Sequence, residues 1–211
     1  MKILSQRKFI PIFIFLIAGV ILLTLIVMPS EQSLGNVIKL VFLHAAFVQV
    51  GLITFAVAAI WAISYLFKKN EKYYQFCLAS QKTALVIWIL YVFSSMLVTY
   101  WAWGKVIAWE EPRVQSSALI LGLAVLLLFL VNWIKNQRFT AFANLMMAVF
   151  AWGLTKQAGI VQHPLNPIGE SNSASLKVYL LIMMILVLLL AVQISRVFYK
   201  PPQKELKNET S

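Results

Sequence analysis

Two histidines, His44 and His163, are the imidazole-bearing residues of this 211-residue chain. Imidazole is a common metal ligand and a good axial ligand for haem iron. His44 lies within an apolar run, whereas His163 lies in a loop sequence with Pro164 and Pro167 close behind it. If the two imidazole rings lie on the same side of the molecule, they could bind one iron from both faces. Simpler roles stay open, because a helix histidine can hydrogen-bond to a neighbouring helix and a loop histidine needs no function.

The segment 100–113 brings aromatic and charged side chains together. Three of the seven tryptophans fall within it. Its candidate ligand-binding residues are Trp101, Trp103, Lys105, Trp109, Glu110, Glu111 and Arg113. Indole rings stack on flat macrocycles, and a guanidinium binds a carboxylate through two hydrogen bonds. An aromatic belt at a membrane surface would explain the tryptophans alone, but not the charged residues beside them.

The elements that carry these residues are expected to be membrane-spanning helices. The chain is 61% hydrophobic and 12% charged, whereas soluble domains average about 45–50% and about 25%. A span needs about 20 apolar residues. Six segments qualify, at about 9–28, 38–67, 82–103, 116–134, 139–156 and 176–198. We therefore predict an all-α, polytopic membrane protein, a bundle of six transmembrane helices.

The six spans make residues 1–200 a single transmembrane domain, and the polar residues 201–211 are predicted to form a disordered tail. The first span has a basic start like that of a signal peptide. It is nevertheless long enough to cross the membrane, and Pro29 and Ser30 make a poor cleavage site. We expect this helix to be retained.

The basic residues predict the orientation of these spans. With the N-terminus in the cytoplasm, thirteen of the eighteen Lys and Arg residues fall in cytoplasmic segments and five fall outside. This is a positive-inside bias, and it places both termini in the cytoplasm. It also places His44, His163 and the segment 101–115 on the outer side. Because the positive charge (+11 overall) is divided among short connections, we predict no binding to nucleic acid.

Other chemistry finds little support in the sequence. The one cysteine, Cys77, falls in the segment 68–81, which is predicted to be a polar linker, and one thiol forms no intramolecular disulfide. We find no Ser-His-Asp pattern, no phosphate-binding loop and no metal-binding motif. The sequence therefore predicts no catalytic residues and favours a binding component over a catalyst that acts alone.

The motifs resemble the CcmC family, the six-span haem-handling (WWD-domain) proteins of cytochrome c biogenesis. The run 38–44 is similar to the family's helix that carries its first haem-ligating histidine, here His44. The run 103–105 matches its Trp-Gly-Lys, and 109–117 corresponds to the core of the tryptophan-rich signature. His163 falls in the loop where the family has its second histidine. The resemblance covers about residues 36–198, with Glu110 at a position where tryptophan is common and Glu111 in place of aspartate.

The resemblance implies a role for each candidate residue. His44 and His163 would be the axial ligands of haem b iron, and the tryptophans at 101, 103 and 109 would form the platform for the macrocycle. Arg113 would bind one propionate, and Glu110 or Glu111 would orient it or contact a partner. From its charge, Lys105 is assigned to the other propionate.

The resemblance also implies partners and a location. The protein would lie in a bacterial inner membrane with its haem site on the periplasmic side. It would deliver haem to a periplasmic haem chaperone (CcmE-like), beside an ABC-type exporter complex. Two alternatives stay open. One is a CcsA-type cytochrome c synthetase subunit, although that type is generally larger; the other is a transporter subunit for a small solute.

Overall fold

Six α-helices make up most of the part of the chain that the computed structural model describes, residues 7–30, 35–159 and 173–202. A short 3-10 turn, Arg7–Phe9, precedes the first helix. The helices are α1 (Ile10–Val27), α2 (Val37–Lys68), α3 (Glu71–Trp103), α4 (Pro112–Ile134), α5 (Gln137–Gln157) and α6 (Ala174–Phe198). The predicted all-α fold is confirmed, and each of the six helices contains most or all of one predicted span.

Within the described residues, five helical segments are long and apolar enough to cross a membrane. They are Arg7–Val27, Val37–Lys68, Glu71–Trp103, Pro112–Ile134 and Ala174–Phe198. Many large apolar side chains on these helices are exposed, for example Phe15 and Phe129 at 77% and 62%. An apolar exterior of this kind is stable in lipid and unfavourable in water. The chain is therefore a membrane protein built from apolar helices.

The segment around Cys77 differs from the prediction. We predicted a polar linker over 68–81, but α3 already begins at Glu71, and Cys77 is fully buried in it. Lys69 ends α2 in the left-handed conformation with φ 49°. The side chain of Asn70 then caps α3 by accepting from the Lys72 amide at 2.9 Å. The polar residues that suggested a linker belong to a helix that extends past the apolar part of the bundle.

Consecutive helices run antiparallel, so the bundle has two distinct ends. At the end that we call the basic end, Arg7 Nη2 donates to the Tyr199 carbonyl at 2.6 Å, joining the start of α1 to the end of α6. At the other end, here called the tryptophan end because it carries Trp101 and Trp109, Lys39 Nζ donates to the Ile26 carbonyl at 3.2 Å. Because six antiparallel helices return the chain to the side where it started, the described chain begins and ends at the basic end.

The core of the bundle is the contact between α2 and α3. The indole of Trp88 is 1% exposed and meets Phe55 edge-on, with ring centroids 5.7 Å apart. It lies directly over Gly51, where a Cβ atom would come within 2.9 Å of Trp88 Cε3. Glycine is therefore required at this position by the close approach of the two helices. This contact fixes the height of α3 against α2.

Gly51→Ala should destabilise the bundle, because the new methyl group overlaps a fully buried indole ring. The expected loss is about 1–3 kcal/mol of unfolding free energy. Gly122→Ala is the matched control, since a Cβ there meets nothing within 4 Å. Thermal unfolding of the detergent-solubilised variants checks this. Equal melting temperatures for the two variants would contradict the close α2–α3 contact.

Candidate functional site

His44 lies in the tryptophan-end half of α2 and packs against α3. It is seven residues into the helix, about 10 Å from its start. Its half-buried imidazole lies against Tyr91 of α3, with ring centroids 4.8 Å apart and planes tilted by 33°. Tyr91 in turn lies 4.8 Å from Trp88. The histidine is thus held by an aromatic cluster that is continuous with the core.

Tyr91 connects this imidazole to the start of α4. Its hydroxyl forms a hydrogen bond of 3.1 Å with Ser117 Oγ. The Ser117 hydroxyl also bonds the Arg113 carbonyl one turn earlier in α4. Trp88 Nε1 donates to the Ser117 carbonyl at 3.1 Å. A continuous set of contacts therefore joins His44 to Arg113, and the structure brings together two residues that the sequence predicted separately.

Arg113 lies in the first turn of α4, not in a loop as predicted. The helix begins at Pro112, a residue favoured at the first helical position because its ring presets φ and the missing N–H costs nothing there. Arg113 Nε is buried and has no hydrogen-bond acceptor among the described residues. Glu111, just before the helix, is 1% exposed. The two oppositely charged residues thus lie at the margin of the bundle instead of in free solution.

Helix α3 projects beyond the start of α4. From Tyr91 to Trp103 it rises about 18 Å, whereas α4 rises about 8 Å from Ser117 back to Pro112. Because Tyr91 and Ser117 lie side by side, α3 extends about 10 Å further. The residues 104–111 must therefore turn back along α3 to reach α4.

This returning segment is held at several points. Gly104 ends α3 with φ 71°, a conformation that glycine adopts without strain, and its amide donates to the Tyr100 carbonyl at 2.9 Å. Thr99 Oγ1 donates to the Val106 carbonyl at 2.9 Å, and Gln115 Nε2 donates to the Trp109 carbonyl at 2.8 Å. The segment is thus a fixed ledge between two helix ends.

The tryptophans on this ledge and at the end of α3 are largely accessible. Trp101 is 64% exposed and Trp109 is 57% exposed, while Trp103 is half-buried. Trp101 meets Tyr100 edge-on at 5.7 Å between centroids. Accessible indole faces beside Arg113 are suited to a flat apolar ligand with an acidic edge. A belt of surface aromatics would also leave them exposed, so exposure alone does not decide their role.

Lys105 and Glu110 form an ion pair across the ledge, with Nζ and Oε1 2.9 Å apart. The hydrogen bond from Lys105 lowers the pKa of the Glu110 carboxyl below its ordinary value. Lys105 thus has a partner within the chain, and its assignment to a propionate stays a prediction. Such a propionate would have to share Lys105 with Glu110 or displace it.

Replacing Lys105 with Gln should raise the pKa of Glu110, because the lowering comes first from Lys105. A depressed carboxyl pKa means that the ion pair holds the ledge at neutral pH and is lost as the pH falls through the folded-state pKa. Titration of the Glu110 carboxyl carbon by NMR, with Lys39→Gln as the control at the same end, measures both values. An unchanged Glu110 pKa in the Lys105 variant would exclude the pairing in solution.

His163 lies outside the described residues. The described chain does fix where its segment begins, because Gly159 lies beside the start of α4. A Cβ on Gly159 would lie 3.9 Å from the Pro112 ring. The described part of the chain after α5 therefore ends next to the ledge. The predicted tail is described only as far as Pro202.

Two apolar spaces lie beside the ledge. An enclosed cavity of about 90 Å³ lies between α3, α4 and the ledge and is lined in part by Met96, Val106 and Ser117. An open depression of about 390 Å³ lies against α3 and is lined by Phe93, Met96, Leu97, Tyr100 and Val106. Pockets for drug-sized molecules hold about 300–1,000 Å³. No group of three or more His, Cys, Asp or Glu side chains among the described residues could hold a metal ion. A macrocycle bound against the described residues at this end would therefore lie in the open depression or elsewhere on the surface of the bundle, not in the enclosed cavity.

The residues that connect His44 to Arg113 were not predicted from the sequence. Trp88, Tyr91 and Ser117 lie within predicted spans, where they resembled ordinary core residues. One signal was present: Trp88 and Tyr91 are three residues apart, and so are placed on one helix face, while Ser117 is four residues after Arg113. That spacing indicates shared faces, but it does not indicate which faces meet.

No protein-family model matches the sequence. No curated protein matches it either. The resemblance to the CcmC family therefore stays a prediction from motifs, and the function must be argued from the site itself.

Proposed function

We propose that this protein binds haem b at its tryptophan end and delivers it to a haem chaperone during cytochrome c maturation. The observation that carries the proposal is the set of contacts from His44 through Tyr91 and Ser117 to Arg113. It joins an imidazole inside the bundle to a guanidinium near its surface. Haem offers a matching pair of groups, an iron for the axial ligand and a propionate for the cation.

The relative depth of these groups supports a ligand that is part apolar and part acidic. Arg113 lies one helical turn, about 6 Å, closer to the end of the bundle than Ser117. His44 lies at about the depth of Ser117, because Tyr91 contacts both. The carboxylate-binding group is thus towards water and the iron-binding group is towards lipid. A porphyrin has the same polarity along its own plane.

His163 is the second ligand in this proposal, and chain reach supports it. Trp152 Nε1 of α5 donates to the Leu52 carbonyl of α2 at 3.1 Å, so these residues share a depth. From that level α5 rises about 8 Å to Gln157, and α2 rises about 12 Å to His44. The segment after α5 therefore starts near the depth of His44. His163 is the fourth residue after Gly159, and four residues of extended chain span up to about 14 Å.

In this proposal, the protein binds and presents its ligand and performs no catalysis alone. Haem would supply the iron and the vinyl edge that is later attached to a cytochrome. His44 and His163 would hold the iron, and Arg113 would hold a propionate. Trp101, Trp103 and Trp109 would cover one face. The exposed Glu110 would be available to a basic partner surface, while the buried Glu111 would orient Arg113. The chaperone (CcmE-like) would dock on this ledge, next to an ABC-type exporter complex.

We further propose that α5 is a sixth span and that both termini are cytoplasmic, in a bacterial inner membrane. α5 is 21 residues long, about 31 Å, which matches the hydrocarbon thickness. Its polar groups bond inwards, since Asn144 Nδ2 donates to Gln81 Oε1 at 3.3 Å and to the Thr140 carbonyl at 2.9 Å. The positive-inside bias of the sequence supports a cytoplasmic basic end, with the haem site outside.

The purified protein from haem-replete cells should show a Soret band and a six-coordinate low-spin spectrum. His44→Ala and His163→Ala should each lose one axial ligand, changing the spectrum and weakening haem retention. Gln49→Ala is the matched control on α2, because its side chain is exposed and lies in the same half of the helix as His44. Absorption spectra and haem quantification of the three variants provide the measurement.

Two outcomes would contradict this proposal. A colourless protein from haem-replete cells, with a normal yield of folded bundle, would exclude stable haem binding. Unchanged spectra in both histidine variants would remove these residues as ligands. A colourless protein whose deletion leaves the cytochromes intact would favour the transporter alternative.

Arg113→Gln should weaken haem binding without changing the ligands of the iron. Losing a charge-assisted hydrogen bond costs about 1.5–3 kcal/mol, or roughly 10- to 100-fold in affinity. Lys39→Gln removes a cation at the same end, where its Nζ bonds the Ile26 carbonyl, and serves as the control. Haem titration of the detergent-solubilised variants gives the dissociation constants. Equal affinities for the Arg113 and Lys39 variants would remove Arg113 from the site.

A further inference from the structure

We propose that the basic end of the bundle carries a binding site for the phosphate of an anionic glycerophospholipid. The site consists of Arg7 before α1, Lys82 of α3 and Lys200 after α6. These three cations belong to different elements that meet around Phe198 and Tyr199. The site is distinct from the tryptophan end and does not depend on haem binding.

The contacts around the end of α6 bring these cations together. Arg7 Nη2 donates to the Tyr199 carbonyl at 2.6 Å, and Lys200 follows Tyr199 directly. Lys82 Nζ lies 5.9 Å from the centre of the Phe198 ring. Phe76 of α3 stacks on Tyr199, with centroids 4.5 Å apart and planes 17° from parallel. Arg7, Lys82 and Lys200 therefore all lie around the end of α6, at Phe198 and Tyr199.

Lys82 is the residue that most needs a counter-charge. It lies six residues beyond Phe76 along α3, about 9 Å deeper in the bundle than the level of Tyr199. It is half-buried, and its contact with Phe198 is the kind that a snorkelling lysine makes. A cation in a membrane span is costly unless an anion or water compensates it.

No described carboxylate supplies that anion. Glu71 is the described acidic residue at the basic end, and its two oxygens accept from Gln75 Nε2 at 2.7 Å and from Gln137 Nε2 at 2.8 Å. The ion pair between the described residues Lys105 and Glu110 lies at the opposite end. Within the described part of the bundle, the positive charge of the site is therefore not neutralised.

The surroundings favour a lipid over free phosphate. Next to the cations, α1 and α6 present apolar side chains to the exterior: Ile12 is 51% exposed, Phe15 is 77% exposed and Val197 is 51% exposed. The two helices pack against each other. A phospholipid could place its phosphate among the cations and its acyl chains along these faces. Basic sites between helices at a membrane surface bind acidic headgroups in this way.

The test is lipid titration of the full-length, detergent-solubilised protein, followed by native mass spectrometry. The probes are phosphatidylglycerol, phosphatidylcholine and inorganic phosphate. Phosphatidylglycerol should bind about tenfold or more tightly than phosphatidylcholine. The triple variant Arg7→Gln, Lys82→Gln, Lys200→Gln should lose that preference. The control variant Lys68→Gln, Lys69→Gln, Arg138→Gln removes as many charges from the same end and should keep it.

Each outcome supports or overturns the site. Equal losses in the triple and control variants would show diffuse attraction to charge, and an unchanged preference in the triple variant would show that these residues do not bind the headgroup. Displacement of phosphatidylglycerol by millimolar inorganic phosphate would assign the site to free phosphate. If the triple variant does not fold, Lys82→Gln and Lys82→Arg replace it. The arginine variant should keep the preference, and the glutamine variant should lose most of it.

Discussion

The contact of Trp88 and Tyr91 with Ser117 determines how the rest of this structure is arranged. Two aromatic side chains of α3 hydrogen-bond to one residue of α4, through the Ser117 carbonyl and hydroxyl. In an apolar interior such groups must be satisfied by neighbouring helices. This fixes the height of α4 against α3. It therefore also fixes where Arg113 lies relative to His44, since Tyr91 contacts the imidazole as well.

The same contact explains the form of the tryptophan end of the bundle. There, α3 extends past α4, and the connection must fold back and form a ledge. At the basic end, α2 and α3 are joined by two residues, Lys69 and Asn70, and Glu71 lies level with Gln137 of α5, to which it is hydrogen-bonded. The two ends thus differ in their chemistry: indole rings are exposed at one, and cations lie around the end of α6 at the other.

Local signals in the sequence were sufficient for the helices but less reliable at their boundaries. Apolar length located all six, and the membrane class follows from composition. The boundaries at Glu71 and Pro112 were misplaced for one reason: polar and charged residues continue a helix where it leaves the lipid. The linker assigned to Cys77 was wrong on these grounds, and Arg113 was placed in a loop although proline favours the first turn.

By itself, the sequence determined the class of the protein, the apolar helices, and the residue types on which the proposed site depends. These are properties of single segments, because hydrophobic length and side-chain chemistry do not depend on partners. Only the tertiary structure decided that Tyr91 and Ser117 join His44 to Arg113, that Lys105 pairs with Glu110, and that Lys82 lies against Phe198. Such pairings depend on the relative height and rotation of helices. Those are set by close packing, such as Trp88 over Gly51, and by the hydrogen bonds that buried polar groups must find.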